Sequence, residues 1–399
     1  MIDRRKFVTS GALTLSGLAL FGTPVLGALS PNDTIQVGLI GTGARGAGLA
    51  SLIKDIPQLK LVACCDLIPE NLAKGMSYAD KNAKSYSDYN KLLEDKNVDA
   101  VIVATPLYLH YPMTIAALSA GKHVYTEKTM TYSIEQSLDL VKRMKHSDLV
   151  LQVGFQYRYY DLYHLVKEIM KENWLGKISH FECQYNRNSN WRFPVRNPAQ
   201  ERLVNWRMYR EYCGGPLSEL CAHEIDAVNM LLDSHPLKVT GMGSIDYWKD
   251  GRDTYDNIRT IYQYPNGIKA SFTSVLSNAY NGYSIRILGD KATVEILRNK
   301  AFIYPETINN AKGTVDGVTG ATKAVTTQGK GTEIVFEKPG QKSIEPTISA
   351  LRDFASCIRD KRKPLSNVET GRDTSIAIHL GNKAADTEKF QLWKPEYSS

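Results

Sequence analysis

The chain has 399 residues, of which 43% are hydrophobic and 23% charged, with a formal net charge of +7. That length implies two domains rather than one core, and the composition excludes a disordered or fibrous chain. No run of five or more basic residues occurs, so the mild positive balance does not point to nucleic acid.

The chain opens with "MIDRRKFVTSGALTLSGLALFGTPVLGA", residues 1–28. Arg4 and Arg5, followed by Phe7 and a modestly apolar stretch, form a twin-arginine export signal with a small-residue cleavage region around Gly27 or Ala28. The apolar part is short, Gly-rich and diluted by Thr and Ser, so it is a poor membrane span. The expectation is a periplasmic protein, exported folded with its cofactor already loaded and without a membrane span once the signal is removed.

Residues 33–153 read as a doubly wound, parallel-sheet nucleotide domain. The strand "IQVGLI" runs straight into "GTGARG", where Gly41, Gly43 and Gly46 fit G-x-G-x-x-G. The first glycine permits the tight turn, the second lets backbone approach a pyrophosphate, and the third lets the next helix pack on the strand. Thr42, Ala44 and Arg45 complete the loop, and the helix amides that follow face the phosphates. A second strand, "KLVACCDL", ends at Asp66, 20 residues after Gly46. An acidic side chain there either accepts the ribose hydroxyls or merely caps a helix. NAD is the expected cofactor, tightly held; NADP is the alternative if Arg45 meets a 2′-phosphate.

The alternation continues through "VDAVIVATP", ending at Thr105-Pro106, the helix "LHYPMTIAALSAG" with His110, the strand "KHVYTEK", the helix "SIEQSLDLVKRMKHS" and "LVLQVGF". Strands separated by helical patterns imply βαβ units. Lys128 then leaves the sheet at its ligand-binding edge, with Glu127 beside it, and Thr105, Pro106, His110, Glu127 and Lys128 are expected to join the cofactor site. Of the six cysteines, Cys64 and Cys65 are adjacent within a strand pattern, and no CxxC or Cys/His cluster has zinc spacing. Buried free thiols, and no metal, are the reading.

From residue 154 to about 350 the pattern changes. "ISHFECQYN", "KVTGMGSIDYW", "NIRTIYQYPNG", "IKASFTSVLS" and "YSIRILGDKATVEIL" alternate as half-buried antiparallel strands with Pro-Asn-Gly and Gly-Asp turns. This is an α+β domain built on a large, mostly antiparallel open sheet. The Gly/Thr-rich stretch 309–331 reads as a surface hairpin or loop. Residues 351–399 read as closing helices and a tail packed back on the core.

Four ordered stretches, "VGLIGTGARG", "DAVIVATPLYLH", "AGKHVYTEK" and "GGPLSELCAHEIDAVNMLL", resemble the Gfo/Idh/MocA oxidoreductases, the glucose-fructose and inositol dehydrogenase group. The C-terminal "ALRDFASCIRDKRKPLSNVETGRDTSIAIHLGNKAA" is similar to that family's closing helices. The resemblance implies that Lys128 reaches the substrate hydroxyl, although Thr129 stands where the family has proline. It also implies a carboxylate four residues before a histidine on one helix, here Glu219 and His223. That i, i+4 spacing stacks the two on one face, with Glu219 orienting the imidazole. Histidine suits the base that hydroxyl oxidation needs; the bland alternative is a hydrogen-bonded core histidine. The resemblance further implies a sugar or glycoside substrate, oxidation at a ring carbon such as C3, and a homo-oligomer, dimer or tetramer.

The segment 184–215 is dense in Arg, Asn, Trp and Tyr. Aromatic faces and guanidinium donors suit the alternating CH and OH faces of a sugar. Trp191, Arg192, Trp206, Tyr157 and Arg158 are therefore candidates to line the site, or else pack the domain seam. The function expected is an exported NAD(P)-dependent dehydrogenase of a sugar's secondary hydroxyl. A glycosidase with internally recycled cofactor and a non-catalytic sugar-binding protein are the rivals.

Overall fold

The computed structural model describes residues 34–195, 197–306, 312–315, 318–322, 331–337 and 343–398. The export-signal reading falls outside them. Six strands, β1 (Ile35–Ile40), β2 (Leu59–Cys65), β3 (Lys84–Tyr86), β4 (Ala100–Val103), β5 (His123–Thr126) and β6 (Leu151–Val153), form a sheet in the order β3-β2-β1-β4-β5-β6. Every pairing is parallel. Helices cover both faces of such a sheet, which is why β4 reads as an unbroken apolar run, buried at all four positions. The edge strand β3, "KSY", carries no apolar pattern and was not legible in the sequence.

The chain then builds β7 (Ile178–Tyr185), β8 (Lys238–Ser244), β9 (Asn257–Gln263), β10 (Lys269–Val275), β11 (Tyr283–Gly289), β12 (Ala292–Ile296) and β13 (Ala301–Pro305). A separate hairpin pairs β14 (Lys312–Val315) with β15 (Val318–Thr322), within the stretch read as a hairpin or loop. With β16 (Thr332–Glu333) and β17 (Gln391–Leu392), the large sheet runs β16-β13-β12-β11-β7-β10-β9-β8-β17. It is antiparallel except where β7 meets β10. Period-two burial marks one covered face: Ile258, Thr260 and Tyr262 of β9 are buried while Arg259 and Ile261 are exposed.

The closing helices return to the first sheet. In the helix Pro346–Asp360, Leu351 and Phe354 are fully buried among β1 and β4 residues, and Phe354 meets the Tyr125 ring edge-on at 5.9 Å. Gln152 Nε2 of β6 donates to Ala350 O at 2.8 Å. The helix Val368–Thr387 packs on β8 and on the helix Ile134–Met144, joining the two sheets into one body. All six cysteines are unpaired and buried. No described helix is long and apolar enough to cross a membrane.

Candidate active site

The glycine loop has the shape a dinucleotide needs. Gly41 sits at φ +87°, and a Cβ there would lie 2.7 Å from Ala104 O. A Cβ on Gly46 would lie 1.9 Å from Gly41 O, so the helix Ala44–Ile53 can begin this close to β1 only without one. Gly43, the N-cap, would meet only Asn71 Nδ2, at 3.8 Å from an added Cβ, and has no side chain to cap the helix, whose first turn holds no acidic residue. The first amides are thus left for an anion. These residues fit NAD, held by Gly41 to Gly46 at its phosphates.

Asp66 stands where the ribose reading requires, at the end of β2, and also braces the loop. Its Oδ2 accepts from Thr42 N at 2.7 Å and Thr42 Oγ1 at 3.2 Å, and its Oδ1 accepts from Ile68 N at 2.9 Å. Arg45 is elsewhere. Its Nε donates to Glu127 Oε1 at 2.7 Å, so it leans past β4 to the end of β5, whereas Asp66 lies on the opposite side of β1. The expectation that Arg45 could meet a 2′-phosphate is therefore corrected: its guanidinium is committed to a buried carboxylate. Glu127 is likewise committed, and Gly154 makes room for it, since a Cβ there would come within 3.0 Å of the Glu127 carboxyl.

Thr105 and Pro106 lead from β4 into the helix Leu107–Ser119, where Pro106 is the N-cap. His110 is 2% exposed and sits between two carbonyls, Nδ1 2.7 Å from Thr129 O and Nε2 2.9 Å from Thr105 O. It ties the two loop ends together rather than facing a ligand.

Lys128 is the first residue past β5 that can reach outward. Its Nζ donates to Glu219 O at 3.0 Å, and Thr129 Oγ1 donates to Ser218 O at 3.1 Å. The peptide bond between Lys128 and Thr129 is cis. Both carbonyls belong to Leu217–Cys221, which is a π-turn rather than the α-helix expected; the α-helix begins only at Ala222 and runs to Leu232. That turn does not bring the Glu219 carboxylate to His223. Glu219 Oε2 instead accepts from Arg207 Nε at 3.1 Å, and no hydrogen bond links it to His223. The orienting role expected of Glu219 toward the imidazole is corrected accordingly.

His223 lies at the start of that helix, with Nδ1 buried and without a hydrogen-bond partner. The Tyr157 ring is 5.2 Å away, and Phe155 meets the imidazole edge-on at 6.4 Å. Burial, reinforced by the positive charges of Lys128, Arg45, Arg298 and Arg187, holds its pKa well below the usual histidine value. His223 is therefore a neutral imidazole, able to take up a proton.

The remaining candidates divide. Tyr157 lines the site, stacked on Tyr163 at 5.4 Å. Arg158 does not: it makes a buried bidentate pair with Asp226, with nitrogen–oxygen distances of 2.8 to 3.0 Å. Arg192 is also engaged, with Glu201 and with Asp250 O. Trp206 carries the Arg207 guanidinium 4.1 Å over its ring, which links it to Glu219. Trp191 packs against the core cluster at φ +61°.

Several residues of this site were not singled out in the sequence. Tyr185 on β7 lies opposite Tyr283 on β11. Their rings meet at 5.4 Å, and Tyr283 meets Tyr157 at 5.6 Å. Strand periodicity could have placed each on a buried face, but only the pairing register joins them. Glu224, adjacent to His223, is fully buried with neither carboxyl oxygen hydrogen-bonded.

Comparison with known proteins agrees with this architecture. Residues 35–155 match "Oxidoreductase family, NAD-binding Rossmann fold" and residues 163–295 match "GFO/IDH/MocA C-terminal domain". The chain is 30% identical to the 2,7-anhydro-N-acetylneuraminate hydratase of Escherichia coli over 66% of its own length and 67% of that protein's. It is 23% identical to the scyllo-inositol 2-dehydrogenase (NAD(+)) of Bacillus subtilis over 90% of its length and 95% of that protein's. It spans about half the length of other curated relatives it matches. Among solved structures, a levoglucosan dehydrogenase in complex with NADH and levoglucosan superposes with a TM-score of 0.74, at 20% identity over 90% of this chain and 99% of that one.

Proposed function

Since the chain belongs to the Gfo/Idh/MocA oxidoreductase family, with an NAD-binding Rossmann domain, we propose that it acts on a secondary hydroxyl of a sugar or glycoside, with a ring position such as C3 as the site of oxidation. The supporting observation is the convergence of Lys128 and His223 at the ligand edge of the parallel sheet, one at the end of β5 and the other just past the π-turn that holds it. NAD, when bound, supplies the acceptor for the hydride. His223, a neutral imidazole on a half-buried residue, takes the hydroxyl proton as the carbonyl forms. Lys128 Nζ donates to the same oxygen and steadies its developing charge. Tyr157 walls the imidazole from water.

The names of the relatives span neutral polyols and an acidic sugar, and one is a hydratase, a reaction without net redox. A second reading follows: oxidation and re-reduction within one cycle, with elimination or hydrolysis between. It suits the export that the first 28 residues suggest, because a nicotinamide pool to recycle released NADH is confined to the cytoplasm. The test is absorbance at 340 nm during titration with monosaccharides and methyl glycosides, with products followed by NMR. A rise with a keto-sugar supports net dehydrogenation. Water addition or free sugar without a rise supports the closed cycle. Binding with neither leaves a sugar-binding protein. Cell fractionation of wild type and of an Arg4→Lys/Arg5→Lys variant tests export.

A further inference from the structure

The wall of rings beginning at His223 ends on two cations. From the imidazole it passes to Tyr157 at 5.2 Å, to Tyr283 at 5.6 Å and to Tyr185 at 5.4 Å. The Tyr185 hydroxyl accepts from Arg187 Nη2 at 3.0 Å and from Arg298 Nη2 at 2.7 Å, and both guanidinium carbons lie over or beside its ring, at 5.2 and 5.5 Å. Topology gathers them. Arg187 follows the end of β7 and Arg298 follows the end of β12; both strands are antiparallel to β11 between them, so the two turns leave the sheet at the same end.

Two guanidiniums on one hydroxyl repel each other, and among the described residues neither is paired with a carboxylate, although most other arginines are. The carboxyl group whose charge Arg298 influences, Glu224, is not an effective counterion. Burial raises it to about 8, so it is mostly protonated at neutral pH, and neither of its oxygens is hydrogen-bonded. Arg187 and Arg298 are themselves exposed, with their heads available to a ligand. A cationic pair held in place by a buried tyrosine and left without a partner is complementary to an anion, and guanidinium forks match carboxylate and sulfate oxygens.

We propose that Arg187 and Arg298, positioned by Tyr185, form an anion subsite, so that the substrate oxidised at His223 is an acidic sugar, carrying a carboxylate or sulfate at the end remote from the reacting hydroxyl. This rests on the reading of Lys128 and His223 as the reacting site.

The test separates binding from turnover. Holoenzyme is titrated calorimetrically with methyl β-glucuronide, with methyl β-glucoside 6-sulfate and with neutral methyl β-glucoside, and absorbance at 340 nm is followed with each. The expected result is that at least one acidic sugar binds about tenfold or more tightly than the neutral one, the least that a charged hydrogen bond supplies. The Arg298→Met and Arg187→Met variants should each bring the acidic-to-neutral affinity ratio toward one, and Arg298→Lys should retain part of it. The two acidic arms tell carboxylate from sulfate. Equal binding of all three sugars, a ratio unmoved in both Met variants, or no binding of any, overturns the subsite. Acidic binding without any redox change or product upholds the subsite and overturns the assigned chemistry. Oxidation of neutral sugars alone does the reverse.

Discussion

Lys128 Nζ donates to the carbonyl oxygen of Glu219, 3.0 Å away across 91 residues of sequence. One bond joins a residue just past a nucleotide-domain strand to the turn that precedes His223. The amine is thus held by backbone, whose position does not depend on a rotamer. A carbonyl partner leaves the positive charge uncancelled, and that charge acts on the imidazole.

Replacing Lys128 by Met should leave NAD binding intact, because the glycine loop and Asp66 are untouched, and should lower kcat by about 10²–10⁴, the range of a positioned proton-transfer or charge-stabilising group. Cofactor titration by fluorescence beside steady-state kinetics checks this; normal turnover would remove Lys128 from the chemistry.

The pH profile should follow His223. Its pKa lies well below 6.5, through burial and then the charges of Lys128, Arg45, Arg298 and Arg187. The base is therefore competent throughout the neutral range, and the acid limb of kcat/KM for oxidation should lie below pH 6.5. Removing a cation relieves the imidazolium, so in any residual activity of Lys128→Met the limb should move upward. A limb at or above 6.5 in wild type would contradict a buried neutral imidazole.

Glu224 predicts a stability change with pH. Burial raises its folded pKa from the ordinary 4.5 to about 8, so between those values the folded protein holds a proton that the unfolded chain releases. The stability is full below pH 4.5 and is lost as pH rises through 8, at up to about 1.4 kcal/mol per pH unit. Lowered histidines, His223 among them, oppose this below pH 6.5, so the effect is read between pH 6.5 and 8, where thermal unfolding of wild type should lose more than that of the Glu224→Gln variant.

The Arg158–Asp226 pair is buried, with side chains 10% and 2% exposed. Asp226→Ala leaves an uncompensated guanidinium and should destabilise by about 3–5 kcal/mol. A double replacement, Arg158→Leu with Asp226→Leu, should cost less than that single change. Denaturant unfolding of both variants decides it, and the opposite order would mean that Arg158 is solvated by something other than its pair.

Local rules were enough for the first half of the chain. Gly41, Gly43, Gly46 and Asp66 are legible because the turn, the close approach and the strand end each restrict residue type within a few positions, and the βαβ alternation places Lys128 at a known edge. Apolar periodicity likewise marks the strands of the second sheet. What it cannot mark is partnership. Arg45 and Arg158 looked available to ligands, and the fold gave each a buried carboxylate 82 and 68 residues away. Glu219 and His223 keep helical spacing on paper, but the Glu219 carboxylate goes to Arg207, a partnership no local pattern marks. Tyr185, Tyr283, Arg187 and Arg298 meet only through the β7–β11–β12 register. Backbone turns and strand periods are local free-energy preferences that a sequence carries by itself. Charge pairing, helical register and the far wall of the site depend on contacts between distant segments, and those exist only once the two sheets and the closing helices have packed.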